Sequence, residues 1–218
     1  MGQIVSIVSS PREGKNSDTI VNKIMEGAMG ISTNTFSLYY VAHSGATGCM
    51  ACMKCKKEGH CVRDDEISKA LEDIRRADAL IVSTPVYFGQ ASWAYRAFED
   101  RMFSFIGSDG KTTLPPGKEL IIVVTYSSGY DEAVGIADHI ESIMVERFGF
   151  KLLGMIIYCD HGNPDEAAND DRIREVACQY GTSLNVSKPF GTYVVSIPEG
   201  DARRGNSQIP NGLIWSSK

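Results

Sequence analysis

Cys49, Cys52, Cys55 and Cys61 stand in the string GCMACMKCKKEGHC, with the spacing C-x2-C-x2-C-x5-C. Gaps of two residues let neighbouring thiolates converge without help from distant parts of the chain. A compact run of this kind is the pattern that wraps a cubane iron–sulfur cluster. Four thiolates also suit a structural zinc ion, and empty or oxidised thiols are the third possibility. The cluster reading makes the protein an electron carrier. His60 lies inside the run, but four sulfurs suffice, so it is expected to be exposed. Cys159 and Cys178 stand apart and read as small buried hydrophobes.

A second stretch with chemical potential is SSPREGKNS. Ser10, Asn16 and Ser17 offer side-chain donors, and Arg12 offers a charged fork. The string lies between an apolar run and a helical one. The first amides of that helix would therefore point at whatever the loop holds, with a dipole that favours an anion. Together these groups fit one phosphate. Neither the dinucleotide fingerprint G-x-G-x-x-G nor the phosphate loop GxxxxGK[ST] is present.

The elements that must position these groups alternate between apolar runs and helix-length periodic segments. Gln3–Val8, Thr35–Val41, Ala79–Ser83, Glu119–Thr125 and Leu152–Tyr158 read as strands. Helices are expected from Asn16 or Ser17 to about Met29, and from Asp64–Asp65 to about Ala77. A third runs from about Trp93 to Phe105, and a fourth follows YSSGYDE with Ile136, Ile140, Ile143 and Met144 on one face. The last runs from about Asp165 to Asn185. ALIVS is apolar throughout, as a central parallel strand buried on both faces should be. Five strands alternating with helices predict an α/β fold, a doubly wound five-stranded parallel sheet with a cysteine-rich insertion (residues 48–62) after the second strand. Ligands in such a sheet sit at the carboxyl ends of the strands.

Residues 1–187 form one domain on this reading, and 188–218 a tail, rich in Gly, Pro, Asn and Ser, that packs on it or on a partner subunit. A net charge of −5 argues against a nucleic-acid partner. No apolar run is long enough for a transmembrane helix, so no membrane is expected. The start MGQIVSIVSS lacks a basic leader, which predicts a cytoplasmic protein whose cysteines are metal ligands or redox groups, not disulfides.

Taken in order, SSPREGKNS, the cysteine run closed by CVRDDE, ADALIVSTPVYFGQAS and FEDRM resemble the flavodoxin-like NADPH-dependent FMN reductase family, and within it the iron–sulfur flavoproteins of anaerobic archaea and bacteria. The resemblance spans roughly residues 3 to 160. It implies a flavin-dependent oxidoreductase with Ser10, Arg12, Asn16 and Ser17 on the FMN phosphate. It sets Pro85, Val86, Tyr87, Phe88 and Gly89 against the flavin ring, where proline stiffens the turn and aromatic rings shield the flavin face. Thr125, Ser127, Ser128 and Gly129 would form a third wall. Cys49, Cys52, Cys55 and Cys61 would each ligate one iron of a [4Fe–4S] cluster. His161 is left outside the site. Asp100 and Arg101 match a structural pair, or one at a subunit interface, and Trp93 and Phe98 beside them are read as core. The resemblance also implies a homodimer, with ferredoxin or NAD(P)H as electron donor. Its alternatives are a clusterless NAD(P)H-dependent FMN or quinone reductase and a non-enzymatic zinc-knot binding module.

Overall fold

The computed structural model describes residues 2–30, 34–45, 47–184 and 191–195. Its strands are β1 (Gln3–Val8), β2 (Thr35–Tyr40), β3 (Ala79–Tyr87), β4 (Gln90–Ala91), β5 (Glu119–Tyr126), β6 (Lys151–Cys159) and β7 (Gly191–Val195). Its α-helices are α1 (Asn16–Met29), α2 (Cys55–Glu58), α3 (Glu66–Arg76), α4 (Trp93–Arg101), α5 (Tyr130–Ser142), α6 (Glu166–Asn169) and α7 (Asp171–Leu184). The sheet order is β2-β1-β3-β5-β6-β7, all parallel, and β4 folds back antiparallel on the end of β3.

Strand periodicity sorts the core into two layers. On β1, Ile4 and Val8 face one side while Val5 and Ile7 face the other. On β5, Ile121 and Val123 join the first side, and Leu120, Ile122 and Val124 the second. Helices α1 and α7 cover the first layer, and α3, α4 and α5 the second. Ile7, Ile81 and Ile121 are wholly buried, each contributing roughly 1.5–3 kcal/mol from its removal from water.

Local chemistry sets the helix starts. Asp65 caps α3 by accepting the Ser68 amide at 3.0 Å, and Ile67, Ala70, Leu71 and Ile74 then fall on one buried face. Ser92 caps α4 by accepting the Tyr95 amide at 3.2 Å.

The fold class and all five expected strands are present; β3 runs four residues past the expected Ser83 to pair with β4, and three further differences stand out. The parallel sheet has a sixth strand, because β7 pairs with β6 from Gly154↔Gly191 to Tyr158↔Val195. Those five residues lie in the segment read as a tail; the rest of 188–218 lies outside the described residues. Second, the final helix is two helices, broken at Asp170, whose carboxylate accepts the Arg172 and Ile173 amides and starts α7 afresh. Third, α4 stops at Arg101, and a tighter 3-10 turn, Met102–Phe105, completes the expected span.

Candidate functional site

β1 and β3 are neighbours, and the crossovers from them leave in opposite directions, so a crevice opens at their carboxyl ends. Four loops meet there. The first loop and the start of α1 supply Ser10, Arg12, Lys15, Asn16 and Ser17. β3 supplies Pro85, Val86 and Tyr87, and β5 supplies Thr125, Tyr126 and Ser127. The loop after β6 adds Asp160 and Pro164. The space within the cleft, counting the part open to solvent, is about 410 Å³.

Short hydrogen bonds fix the loops to one another. Ser17 Oγ and Thr125 Oγ1 are 2.8 Å apart and tie α1 to β5. Asn16 Nδ2 donates to Asp160 Oδ2 at 3.0 Å and to the Asn163 carbonyl at 2.8 Å, while its Oδ1 accepts the Ala167 amide at 2.9 Å. Asp160 Oδ1 accepts from Ser127 Oγ at 2.7 Å and from the Gly162 amide at 2.9 Å. Behind them, Ser92 Oγ donates to Ser9 at 3.0 Å, Ser9 Oγ donates to the Ser83 carbonyl at 2.6 Å, and the Ser92 amide donates to Thr84 Oγ1 at 3.0 Å. This buried hydroxyl chain anchors the floor of the cleft and leaves its polar groups paired.

No side chain caps α1, so its first amides are open to a ligand. Asp18 braces the loop from beneath by accepting the Gly14 amide at 2.7 Å and the Tyr40 hydroxyl at 2.7 Å. Burial, then that hydrogen bond, push the Tyr40 phenol up to about 12. Burial likewise raises the Tyr126 phenol, helped by neighbouring Cys159 and Tyr130.

The expected ring segment is divided. Pro85, Val86 and Tyr87 line the cleft, whereas Phe88 and Gly89 form the tip of the β3–β4 hairpin. Both tip residues have positive φ, 51° and 70°, as a tight type I′ turn needs. Glycine meets that demand freely; phenylalanine pays about 1–2 kcal/mol. The Phe88 ring is fully exposed, at 105%. Ser128 and Gly129 lead into α5 and do not line the cleft. Lys15, Tyr126, Asp160 and Pro164 line it without having been singled out in the sequence. The signal for Asp160 was its place directly after β6, on the same sheet edge as the other loops. His161 beside it has φ of 49° and lies 3.8 Å from Glu166.

The second concavity is lined by all four clustered cysteines together with Met50, Met53, Val62, Arg63, Arg101, Phe103 and Ser104. The insertion is fastened to the domain by cations. Lys56 Nζ donates to the carbonyls of Phe103 and Ile106 at 2.7 and 2.5 Å and lies 3.4 Å from the centre of the Phe103 ring. Arg75 Nη2 donates to the Gly59 carbonyl at 2.8 Å. Arg101, whose side chain is wholly buried, donates through Nη1 to both Asp65 oxygens at 2.7 and 2.6 Å, and through Nη2 to Cys61 Sγ at 3.3 Å. Burial raises the Asp65 carboxyl, but hydrogen bonds from Arg101 and the Ser68 amide outweigh it and leave the group below its ordinary value.

Ala51 and Met53, which flank Cys52, adopt positive φ of 53° and 59°, and the Ala51 amide donates to Cys49 Sγ at 3.4 Å. Such strain in non-glycine residues persists where the surroundings enforce it. Two residues of the lining each keep a buried polar atom, Arg101 Nε and Ser104 Oγ, with no hydrogen-bond partner among the described residues. Soft thiols, a backbone amide already on one sulfur, and spare donors fit a sulfur-rich cofactor. Among the described residues no three of His, Cys, Asp and Glu are grouped as ligands of a single ion; a cubane instead takes one thiolate per iron.

Elsewhere, His60 is exposed and Cys159 buried, as expected. Cys178 is exposed, contrary to expectation, because it falls out of phase with the buried stripe Ile173, Val176, Ala177, Tyr180 and Gly181 on α7. Arg101 and Phe98 are buried within the chain, while Trp93 is 55% exposed and not core. Among the described residues no helix is long and apolar enough to cross a membrane.

The family model described as NADPH-dependent FMN reductase matches residues 3–161. An iron-sulfur flavoprotein of Methanosarcina thermophila is 34% identical over 101 residues, 45% of this chain and 51% of that protein. Iron-sulfur flavoprotein MJ1083 of Methanocaldococcus jannaschii is 32% identical over the same length, again 45% and 51%. The matched stretch thus spans about half the length of these curated relatives. In fold, the chain is similar to an apo NADH:FMN oxidoreductase, EMOB, with TM-score 0.60, 16% identity and coverage of 86% of this chain and 90% of that one. It is also similar to an NAD(P)H:quinone oxidoreductase from Methanothermobacter marburgensis, with TM-score 0.58, 16% identity and coverage of 84% and 97%.

Proposed function

The chain belongs to the NADPH-dependent FMN reductase family, and from that premise we propose that it is an FMN-dependent oxidoreductase that also carries a [4Fe–4S] cluster and passes electrons between the two and an acceptor. The observation that carries this reading is the pair of sites in one chain: a polar cleft at the strand ends, and a concavity lined by four thiols. When bound, FMN exchanges two electrons or one, and the cluster exchanges one at a time.

The chain's own residues divide the work of holding these groups. Ser10 Oγ, the Arg12 guanidinium and the open amides at the start of α1 would hold the phosphate. The Asn16 side chain is committed to Asp160, Asn163 and Ala167, so its contribution falls to its main-chain amide. Ser17, paired with Thr125, fixes the floor, while Pro85, Val86 and Tyr87 lie along the wall where a flat ring would rest. Cys49, Cys52, Cys55 and Cys61 would hold the cluster.

The protein acts as a homodimer in this reading, with the exposed Phe88 and Trp93 offering aromatic surface for a second copy to cover. NAD(P)H or a ferredoxin is the donor. Anaerobic purification tests the proposal. The released flavin should run as FMN, and iron and inorganic sulfide should each approach four per chain, one iron for each thiolate. Stoichiometric FAD, or protein that holds no iron even after reconstitution, would overturn it.

A further inference from the structure

We propose that Arg101 and Ser104 form a donor wall for the cysteine concavity, hydrogen-bonding to the sulfur atoms held there, positioning Cys61 and raising the reduction potential of the bound cluster. The inference rests on the cluster reading and adds two residues that the four-thiol pattern does not contain.

Three observations carry it. Arg101 already donates to Cys61 Sγ at 3.3 Å, and its guanidinium is locked in place by two bonds to Asp65 and a further short contact to Ser68 Oγ. Both residues line the concavity, and both are buried, at 1% and 5% exposure. Each also keeps one polar atom, Arg101 Nε and Ser104 Oγ, without a partner among the described residues. Buried donors are nearly always satisfied, and an orphan needs an explanation. Two orphans on residues lining one thiol-rich hollow are explained together if the missing acceptors are thiolate or sulfide sulfurs.

The consequence for potential follows from charge. Reduction adds one negative charge to the cluster. A cation and a hydroxyl donor beside its sulfurs stabilise the reduced state more than the oxidised one, so their removal lowers the potential. Both residues act through the cluster and its ligand Cys61 and are positioning residues. They sit at the end of α4 and in the turn after it, and neither lines the flavin cleft, so flavin binding should not respond.

The test compares wild type with Ser104→Ala, Arg101→Lys and Arg101→Gln, each reconstituted anaerobically with ferrous iron and sulfide. Iron and sulfide are counted, and the cluster midpoint is read by paramagnetic resonance during a redox titration. FMN content serves as the control for folding. Ser104→Ala should retain its FMN and be at least as thermally stable as wild type when metal-free, because it loses only an unpaired hydroxyl, yet its cluster midpoint should fall. Arg101→Lys keeps the charge but not the fork, and its midpoint should also fall. Arg101→Gln should lose cluster while keeping FMN. Wild-type midpoints in both Ser104→Ala and Arg101→Lys would overturn the donor wall. A wild-type protein that takes up no iron would instead overturn the cluster reading on which it rests.

Discussion

Gly181 of α7 touches the backbone of α1 at Ile24: a Cβ added to Gly181 would lie 1.8 Å from the Ile24 carbonyl oxygen. Gly27 makes the reciprocal approach, where a Cβ would lie 2.0 Å from the Cys178 carbonyl. The two helices therefore cross at backbone distance, and this clamp closes the layer beneath the first loop. Gly181→Ala must push the helices apart and should cost about 1–3 kcal/mol or more. A denaturant midpoint equal to wild type would show that the contact yields freely.

Arg12→Ala should weaken FMN binding by about 1.5 kcal/mol, the lower end for a hydrogen bond to a charged group, since Arg12 is exposed. Fluorescence titration of flavin-free protein would then show a dissociation constant about tenfold higher. Equal affinity would remove Arg12 from the phosphate site.

Asp160 gathers three donors from three segments: Asn16 Nδ2, Ser127 Oγ and the Gly162 amide. Asp160→Asn turns one acceptor into a donor facing donors. It should destabilise the fold by about 1–3 kcal/mol and weaken flavin binding with it. Loss of stability with unchanged FMN affinity would mean that the brace does not shape the cleft.

Phe88→Asn places a residue that tolerates positive φ before Gly89. It should raise stability by about 1 kcal/mol by relieving the turn. A lower melting temperature would show that the Phe88 backbone is not strained at a cost to the fold.

Acid and alkali should each remove a different support. Asp65 titrates lower when folded than unfolded, so its contribution is full above the ordinary carboxylate value of about 3.9 and is lost as pH falls through its lowered native value. Asp65→Asn should flatten that acid limb. Tyr40 titrates higher when folded, so its contribution is full below about 10 and is lost as pH rises toward about 12. Tyr40→Phe should flatten the alkaline limb. Limbs unchanged in both variants would contradict these assignments.

Most of the sheet was legible because its central strands are short apolar runs with punctuated ends. β7 was not, since GTYVV is five residues between two prolines in a polar segment, and only the open edge of β6 makes it a strand. The first loop, which the cleft includes, and the cysteines, which share a concavity, were visible as local strings. Asp160 was not, because a lone Asp after a strand shows its importance only when Asn16, at a distance of 144 residues in sequence, comes to meet it. The outward placement of Phe88 was hidden for the opposite reason: a tight turn of this type is ordinarily announced by Asn–Gly, and here an aromatic stands in the first place. Arg101 read as structural, because the Cys61 sulfur to which it donates lies 40 residues away in sequence.

The strand order has a consequence for biosynthesis. β1, the earliest of these strands in the chain, lies inside the sheet; β2 docks on one side of it and β3 on the other, and β5, β6 and β7 then add outward one after another. No strand must be threaded between two that are already paired. The nascent sheet can therefore grow from a seed, always at a free margin, in the order in which the ribosome releases it. Until Gly191–Val195 emerges, that margin is β6, whose Leu153–Cys159 stretch is otherwise buried. Release of a chain ending short of residue 191 would expose it as a sticky template for other molecules.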